Sequence, residues 1–97
     1  MTRAAVLRRK AEDDIGSAFQ WYEMQQPGLG DDFLVRLRQS LEGVGRLPES
    51  FPLTYRNVRR ALVTKYPYVV FFVAETTRVV VLAVLHTSRN PAVWPRR

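Results

Sequence analysis

Apolar residues dominate the second half of the chain in runs that are rich in Val, Phe and Tyr. The runs span Ala61–Tyr66, Tyr68–Glu75 and Val79–Leu85. Because β-branched and aromatic side chains fit a pleated surface, we predict three strands. Pro67 separates the first two runs, since proline has no N–H to donate to a strand ladder. The last two runs are apolar at nearly every position, which predicts an antiparallel hairpin in the middle of a sheet.

The register of the first of these strands stays open at the level of sequence. One face would carry Arg60 and Leu62, and the other Arg59 and Ala61. Each face combines a cation with an apolar residue, so the alternation does not say which face is the core.

The first half of the chain shows helical spacing instead. A first helix is predicted over Ala11–Gln26, and its apolar stripe consists of Ala11, Ile15, Ala18, Phe19 and Tyr22. Acidic residues in its first turns suit the positive end of the helix dipole. Pro27-Gly28 ends this helix, because proline disfavours helical backbone in the residue before it.

A second helix is predicted after a tight link at Gly28–Gly30, and either Asp31 or Asp32 is expected to cap it. Its apolar stripe consists of Phe33 or Leu34, followed by Leu37, Leu41, Val44 and Leu47. A short link between two amphipathic helices predicts an antiparallel helical hairpin that packs on one face of the sheet.

Two further segments complete the predicted topology. Ala4–Arg8 is short and apolar, and we predict a first strand that lies at an edge or pairs with the later hairpin. Leu47–Pro52 is a proline-rich crossover with little regular structure. The element order is then β–α–α–β–β–β. This order predicts one α+β domain over residues 1–97, with the helical hairpin on a mainly antiparallel sheet.

Charge divides the chain into two unlike halves. Residues 1–50 carry seven Lys/Arg and eight Asp/Glu, a net −1, whereas residues 51–97 carry eight Lys/Arg and one acid, a net +7. A cationic sheet half favours phosphates, nucleic acid or an acidic protein partner. The alternative is a solvated basic rim that keeps the protein soluble.

Several classes of protein are disfavoured by what the sequence lacks. It has no cysteine, which excludes disulfides, zinc-finger sites and a thiol nucleophile, and which fits a cytoplasmic protein. No apolar run approaches the ~18 residues of a membrane-spanning helix, and the N-terminus does not resemble a signal peptide. We therefore expect no contact with a membrane.

Candidate chemistry is sparse. His86 is the single histidine, and it is either a structural residue or a catalytic one. No second histidine or carboxylate cluster lies near it in the sequence, so we expect no metal. Gly28 and Gly30 lack the preceding strand and the third glycine of a dinucleotide loop. We therefore expect no cofactor.

Three groups of residues together resemble the RelE/ParE toxin superfamily. The helical hairpin is matched by Trp21-Tyr22-Glu23, Pro27-Gly28-Leu29-Gly30 and Phe33. The central sheet is matched by Val58-Arg59-Arg60 and Tyr66-Pro67-Tyr68, and the C-terminal signature by Ala83-Val84-Leu85-His86, Arg89, Pro91 and Trp94. The resemblance runs from about residue 4 to the end. The pattern is closer to the ParE branch, often called plasmid-stabilisation proteins, than to the ribosome-dependent nucleases.

The resemblance implies the toxin of a bacterial type II toxin–antitoxin pair. Its partner would be a small antitoxin, acidic where it contacts the toxin, which wraps it with an amphipathic helix or a strand. We expect the antitoxin to contact Trp21, Phe33 and Leu37 on the helical hairpin. Trp21 is a plausible exposed anchor for a partner helix, or it packs against the core.

The ParE branch implies inhibition of DNA gyrase, which needs no catalytic residue of the toxin. The expected target-binding residues lie in the C-terminal tail: Arg89, Trp94, Arg96 and Arg97. The alternative role for Arg89 and Trp94 is to lock the tail onto the sheet, with Trp94 as a cap on the core. A third reading is a weakly toxic module whose main property is antitoxin binding.

The nuclease branch implies cleavage of mRNA on the ribosome, which needs a base, an acid and a cation around the reacting phosphate. Its candidate catalytic residues are Arg59, Arg60, Lys65, His86 and Arg89. Thr87 follows His86 where one nuclease group has tyrosine. The segment before the central sheet, Leu53–Asn57, holds one cation and no lysine, unlike another group. Both departures favour the gyrase reading.

Overall fold

The computed structural model describes residues 2–88. Its helices are α1 (Arg9–Gln25) and α2 (Leu29–Arg46), followed by a single 3₁₀ turn at Pro48–Ser50. Its strands are β1 (Ala4–Leu7), β2 (Leu53–Tyr55), β3 (Val58–Leu62), β4 (Tyr68–Ala74) and β5 (Arg78–His86). The predicted fold class, an N-terminal strand and a helical hairpin on a mainly antiparallel sheet, is confirmed.

The strands form one mixed sheet in the order β1-β5-β4-β3-β2. As predicted, β1 lies at an edge and pairs with the later hairpin. Its pairing with β5 is parallel, with Ala4 opposite Arg78 and Leu7 opposite Val81. The other neighbours are antiparallel. β4 and β5 occupy the interior of the sheet, which explains why both are apolar on two faces.

The first strand of the apolar half was placed too late in the sequence. β3 spans Val58–Leu62, not Ala61–Tyr66. The chain turns after Leu62, because Lys65 has a φ of +72° and the Val63 N–H donates to the Tyr68 carbonyl at 2.9 Å. A left-handed residue cannot continue a strand, and a lysine gives no sign of it in the sequence.

The short strand β2 was not predicted. It has three residues, and it joins β3 through Arg56-Asn57, where Arg56 has a φ of +51°. Three residues are too few to display an alternating pattern, and the link holds neither glycine nor proline.

The helical hairpin is closed by Glu23, not by the predicted aspartate caps. The Glu23 carboxylate accepts hydrogen bonds from the Gly28 N–H at 2.9 Å and from the Gly30 N–H at 2.8 Å. α2 therefore begins at Leu29, earlier than expected, and no side chain of its own caps it. Gly28 has a φ of +90°, which only glycine adopts without strain, and this residue makes the turn.

Apolar side chains cover both faces of the sheet. On the first face, α1 and α2 pack over β3, β4 and β5 through a cluster that includes Phe33, Val44 and Phe72. On the opposite face lies a second cluster, which consists of Val58, Val69, Phe71, Ala83 and Leu85, with Val73 and Leu82 beside them. We call these the helix-side face and the open face. Ala61 belongs to the first, so the register of β3 turns Arg60 and Leu62 to the open face.

Candidate functional site

A groove at one end of the helix-side face gathers three residues that are distant in sequence. Tyr68 and His86 are cross-strand partners, and their rings meet edge to face with centroids 5.3 Å apart. Trp21 of α1 lies beside them. Two adjoining hollows of about 290 and 370 Å³ share these three side chains. We call this the Trp21 groove.

Trp21 is exposed to 57%, so its side chain is not buried in the core. Its neighbour Tyr22 belongs to the buried stripe of α1, so Trp21 lies about a quarter turn around the helix, at the edge of the sheet. The two rings contact edge to face at 5.1 Å. Met24, on the next turn, is also exposed. Trp21 and Met24 therefore form an exposed apolar surface on α1.

An aromatic cluster lies beneath the groove. Tyr22 stacks on Phe33 at 5.4 Å, and Tyr66 and Tyr68 each meet Phe33 edge to face at 5.3 Å. The Tyr66 hydroxyl donates to Asp32 Oδ2 at 2.6 Å. Burial and this carboxylate raise the pKa of Tyr66 to about 12. The hydroxyl therefore stays a donor at neutral pH and ties the β3–β4 turn to α2.

His86 is exposed at the mouth of the groove, and its Nδ1 already accepts a hydrogen bond. The Ser88 N–H donates to Nδ1 at 3.1 Å, and Ser88 Oγ lies 2.9 Å from the same atom. Since Nδ1 accepts a hydrogen bond from a backbone N–H, the ring proton resides on Nε2. This arrangement orients the imidazole and holds the turn after β5.

Arg59 forms contacts elsewhere and does not lie beside His86. Arg59 Nη1 donates to the carbonyls of Phe51 at 2.7 Å and of Glu49 at 3.2 Å, so it fastens the segment before β2. Arg59 pairs with Phe72, four residues along β4 from the partner of His86. At ~3.3 Å per residue this places the two Cα atoms more than about 13 Å apart.

The two other described candidates are exposed and lie apart from each other. Arg60 lies on the open face, away from the groove. Lys65 lies in the turn between β3 and β4, at the same end of the sheet as His86. Among residues 2–88, the predicted catalytic residues thus form no single centre.

The predicted antitoxin contacts divide between surface and core. Trp21 is exposed, whereas Phe33 and Leu37 are buried in the helix-side cluster. Phe33 and Leu37 can support an antitoxin surface only from beneath. The predicted tail residues Arg89, Trp94, Arg96 and Arg97 lie outside the described residues.

Asp14 is a site residue that the sequence did not single out. It lines one hollow of the Trp21 groove, and its Oδ2 accepts a hydrogen bond from the Val84 N–H at 3.0 Å. β1 pairs with β5 only as far as Val81, so the carboxylate satisfies an N–H beyond the end of β1. In the sequence, an acidic residue near the start of a helix suggests an interaction with the helix dipole. The hydrogen bond of Asp14 to β5 instead depends on where β1 ends.

The comparisons with known proteins agree with this architecture. No curated protein matches the chain. A solved structure titled "Chromosomal ParDE TA system from P. aeruginosa" is similar to it, with a TM-score of 0.77 and 13% sequence identity, over 88% of this chain and 96% of that chain. Among residues 2–88, no helix has the length and apolarity to cross a membrane. A family model described as "ParE toxin of type II toxin-antitoxin system, parDE" matches residues 5–91. The chain therefore belongs to the ParE toxin family of type II toxin–antitoxin systems.

Proposed function

We propose that this toxin inhibits DNA gyrase by binding it, and that a cognate antitoxin neutralises the toxin. The observation that carries the proposal is the separation of Arg59 and Arg60 from His86 described above. A binding protein does not require these side chains to converge, whereas a nuclease does. Gyrase works on DNA in the bacterial cytoplasm, so the proposal also requires a cytoplasmic toxin.

The alternative activity, cleavage of mRNA on the ribosome, makes stricter demands on geometry. A base must take the proton of the 2′-hydroxyl, an acid must protonate the leaving oxygen, and a cation must stabilise the phosphate. All three groups must lie within hydrogen-bond reach of one phosphodiester. Arg59 already donates to two carbonyls, and His86 Nδ1 already accepts from Ser88. These engagements favour structural roles for both residues.

The proposed gyrase contacts are Arg89, Trp94, Arg96 and Arg97 in the C-terminal tail. The sheet half of the chain has a net charge of +7, counted over residues 51–97. A positive charge of this size attracts the DNA in a gyrase–DNA complex, or it attracts an acidic surface of gyrase itself. The arginines would therefore raise the association rate and contribute to affinity.

The proposed antitoxin contact is the Trp21 groove. An exposed tryptophan beside a hollow of about 370 Å³ is suited to receive an apolar side chain of a partner helix. Met24 extends the apolar surface along α1, and the aromatic floor under the groove is fixed by Tyr66. The net charge of +6 favours an acidic antitoxin.

One reconstituted experiment tests the proposal. Purified chain is added to gyrase, relaxed plasmid and ATP, and in parallel to a ribosome translation mixture with a defined mRNA. We expect supercoiling to fail while the mRNA stays intact. Cleaved mRNA with normal supercoiling would overturn the proposal and support the nuclease alternative, in which His86→Ala should lower cleavage by about 10² or more. If both mixtures are unaffected, the toxin is inactive on both targets and the proposal is also wrong.

Paired variants locate the two surfaces. Replacing Arg96 and Arg97 together by alanine should weaken gyrase inhibition. The matched control replaces Arg9 and Lys10, two exposed cations at the start of α1, and should leave inhibition unchanged. Trp21→Ala should raise the antitoxin concentration needed to restore supercoiling by about 30-fold, which corresponds to ~2 kcal/mol for a central anchor. Equal antitoxin requirements for wild type and Trp21→Ala would exclude the groove as the contact.

A further inference from the structure

A separate hollow of about 360 Å³ lies at the outer edge of β3. It is lined by Phe51, Pro52, Arg60, Ala61 and Leu62, and we call it the Leu62 hollow. β4 separates β3 from β5, so this hollow is distinct from the Trp21 groove at β5 and α1. β2 pairs with β3 only at Val58 and Arg59, so it leaves the edge of β3 at Leu62 uncovered.

The backbone of Leu62 directs a hydrogen-bond donor to this uncovered edge. The Val63 N–H bonds to the first residue of β4, so the N–H of the preceding residue, Leu62, points away from β4. The Arg60 N–H points the same way and donates to the Pro52 carbonyl at 3.1 Å. The Leu62 carbonyl accepts a hydrogen bond from Ser40 Oγ at 3.1 Å. Within residues 2–88, the Leu62 N–H has no such partner.

Tertiary contacts hold the walls of the hollow in place. The Phe51 ring meets Phe72 of the helix-side cluster edge to face, with centroids 5.8 Å apart. The Phe51 carbonyl also accepts a hydrogen bond from Arg59 Nη1 at 2.7 Å. Because these contacts form without a partner, a ligand that enters the hollow does not have to order its walls, which lowers the cost of binding.

The chemistry of the hollow combines an apolar surface with positive charge. Leu62 is 67% exposed, and Leu53, next to Pro52 in the chain, is 57% exposed. One exposed leucine is ordinary on a protein surface, but Leu62 adjoins a hollow, an unpaired N–H and a cation. The cation is Arg60, which is exposed, and the described lining of the hollow includes no acid.

These features select an acidic peptide segment with a large apolar side chain. The apolar side chain enters the hollow, a backbone carbonyl accepts from the Leu62 N–H, and a carboxylate approaches Arg60. A second copy of this chain is a poorer match, because the sheet half carries a net charge of +7 over residues 51–97 and two such surfaces repel.

We propose that the Leu62 hollow is a contact for gyrase and binds an acidic segment of that enzyme. The inference rests on the proposed gyrase target and places a second contact within the described residues. The two surfaces of the toxin then differ in charge. The Leu62 hollow lies in the cationic half of the chain, whereas the Trp21 groove is lined by a carboxylate, that of Asp14.

A pair of variants with the same change of charge tests the contact. Leu62→Glu puts an acid at the hollow and should raise the toxin concentration for half-inhibition of supercoiling by about 10-fold or more. Val35→Glu, at a 47% exposed position on α2, should leave that concentration unchanged. Thermal unfolding checks that both variants are folded. Equal inhibition by wild type and Leu62→Glu would overturn the contact and leave gyrase inhibition standing.

Photocross-linking tests the contact without relying on inhibition or on the folding of Leu62→Glu. Leu62→benzoylphenylalanine is irradiated with the gyrase holoenzyme, and Val35→benzoylphenylalanine is the control. We expect position 62 alone to cross-link, and to a gyrase peptide rich in Asp and Glu. No cross-link from position 62, or one to a peptide without an excess of acids, would overturn the contact. If position 62 cross-links as expected while wild type does not inhibit supercoiling, the contact stands and the proposed function is wrong.

Discussion

The helix-side face and the open face of the sheet are packed in different ways. Two helices close the first face, and their side chains interdigitate with those of the strands, so that Phe33 and Phe72 are completely buried. The second face has a smaller cluster made by strands alone within residues 2–88. Stability should therefore be concentrated on the helix-side face. The smaller cluster of the open face should contribute less to stability.

The largest expected effect comes from two adjacent phenylalanines that point to opposite faces. Phe72→Ala, on the helix-side face, should lower the free energy of unfolding by about 3–5 kcal/mol, since it leaves a cavity in a packed cluster. Phe71→Ala, on the open face, should cost about 2 kcal/mol, because Phe71 packs in a smaller cluster that can relax around the truncated side chain. Urea unfolding of both variants measures the difference. Equal losses would mean that the two faces are equally well packed, and the contrast drawn above would be wrong.

A smaller effect is expected at the joint of the helical hairpin. A Cβ atom at Gly30 would lie 2.8 Å from Glu23 Oε1 and from the Phe19 ring, and Glu23 is fixed by its two backbone hydrogen bonds. Gly30→Ala should therefore destabilise the chain by about 1–3 kcal/mol.

Gly16 is the matched control, because open space surrounds it inside α1. Gly16→Ala should stabilise the chain by up to ~1 kcal/mol through helix propensity. Thermal unfolding of the two variants should give shifts of opposite sign. A stabilising Gly30→Ala would show that the hairpin is looser than its contacts indicate.

The smallest effect concerns Tyr66, which links the β3–β4 turn to the helices. Tyr66→Phe removes the hydrogen bond to Asp32 and should cost about 1 kcal/mol at neutral pH. The folded pKa of Tyr66 is about 12, above the ordinary value of 10. The unfolded chain therefore loses this proton first, and the contribution is complete below pH 10 and is lost as pH rises from about 10 to 12.

Denaturant titrations at pH 8 and at pH 11 test this dependence. The stability difference between wild type and Tyr66→Phe should shrink at the higher pH. The exposed Tyr55→Phe is the control, and it should show a constant difference. If the stability difference between wild type and Tyr66→Phe is the same at both pH values, the hydrogen bond to Asp32 does not raise the pKa of Tyr66.

Sequence patterns predicted the layers well because burial repeats with a period that each element imposes. Ala11, Ala18 and Tyr22 form the buried stripe of α1, and the hairpin of β4 and β5 follows its apolar runs. The sequence patterns failed where a residue other than glycine has a left-handed backbone conformation. Lys65 and Arg56 have positive φ values that their side chains do not announce, so β3 was misplaced and β2 was missed.

The candidate site was less predictable than the fold. Trp21 could be identified as a possible anchor, but its exposure depends on where the sheet ends. Asp14 satisfies an N–H of a distant strand and Glu23 satisfies N–H groups at the start of the next helix, and such pairings follow only from the folded arrangement. The physical reason is that helical and strand periodicities are local, whereas a groove is built where several elements meet.

The parallel pairing of β1 with β5 has a consequence for how the protein is made. β1 needs β5 as its partner, because Ala4 pairs with Arg78. At ~5–20 residues per second, a ribosome takes about 4–15 s to synthesise the intervening segment. During that time β1 has no partner, and closing so distant a pair is intrinsically slow. A newly made toxin therefore completes this sheet only after β5 has been translated, which gives an antitoxin time to meet a chain that is not yet closed.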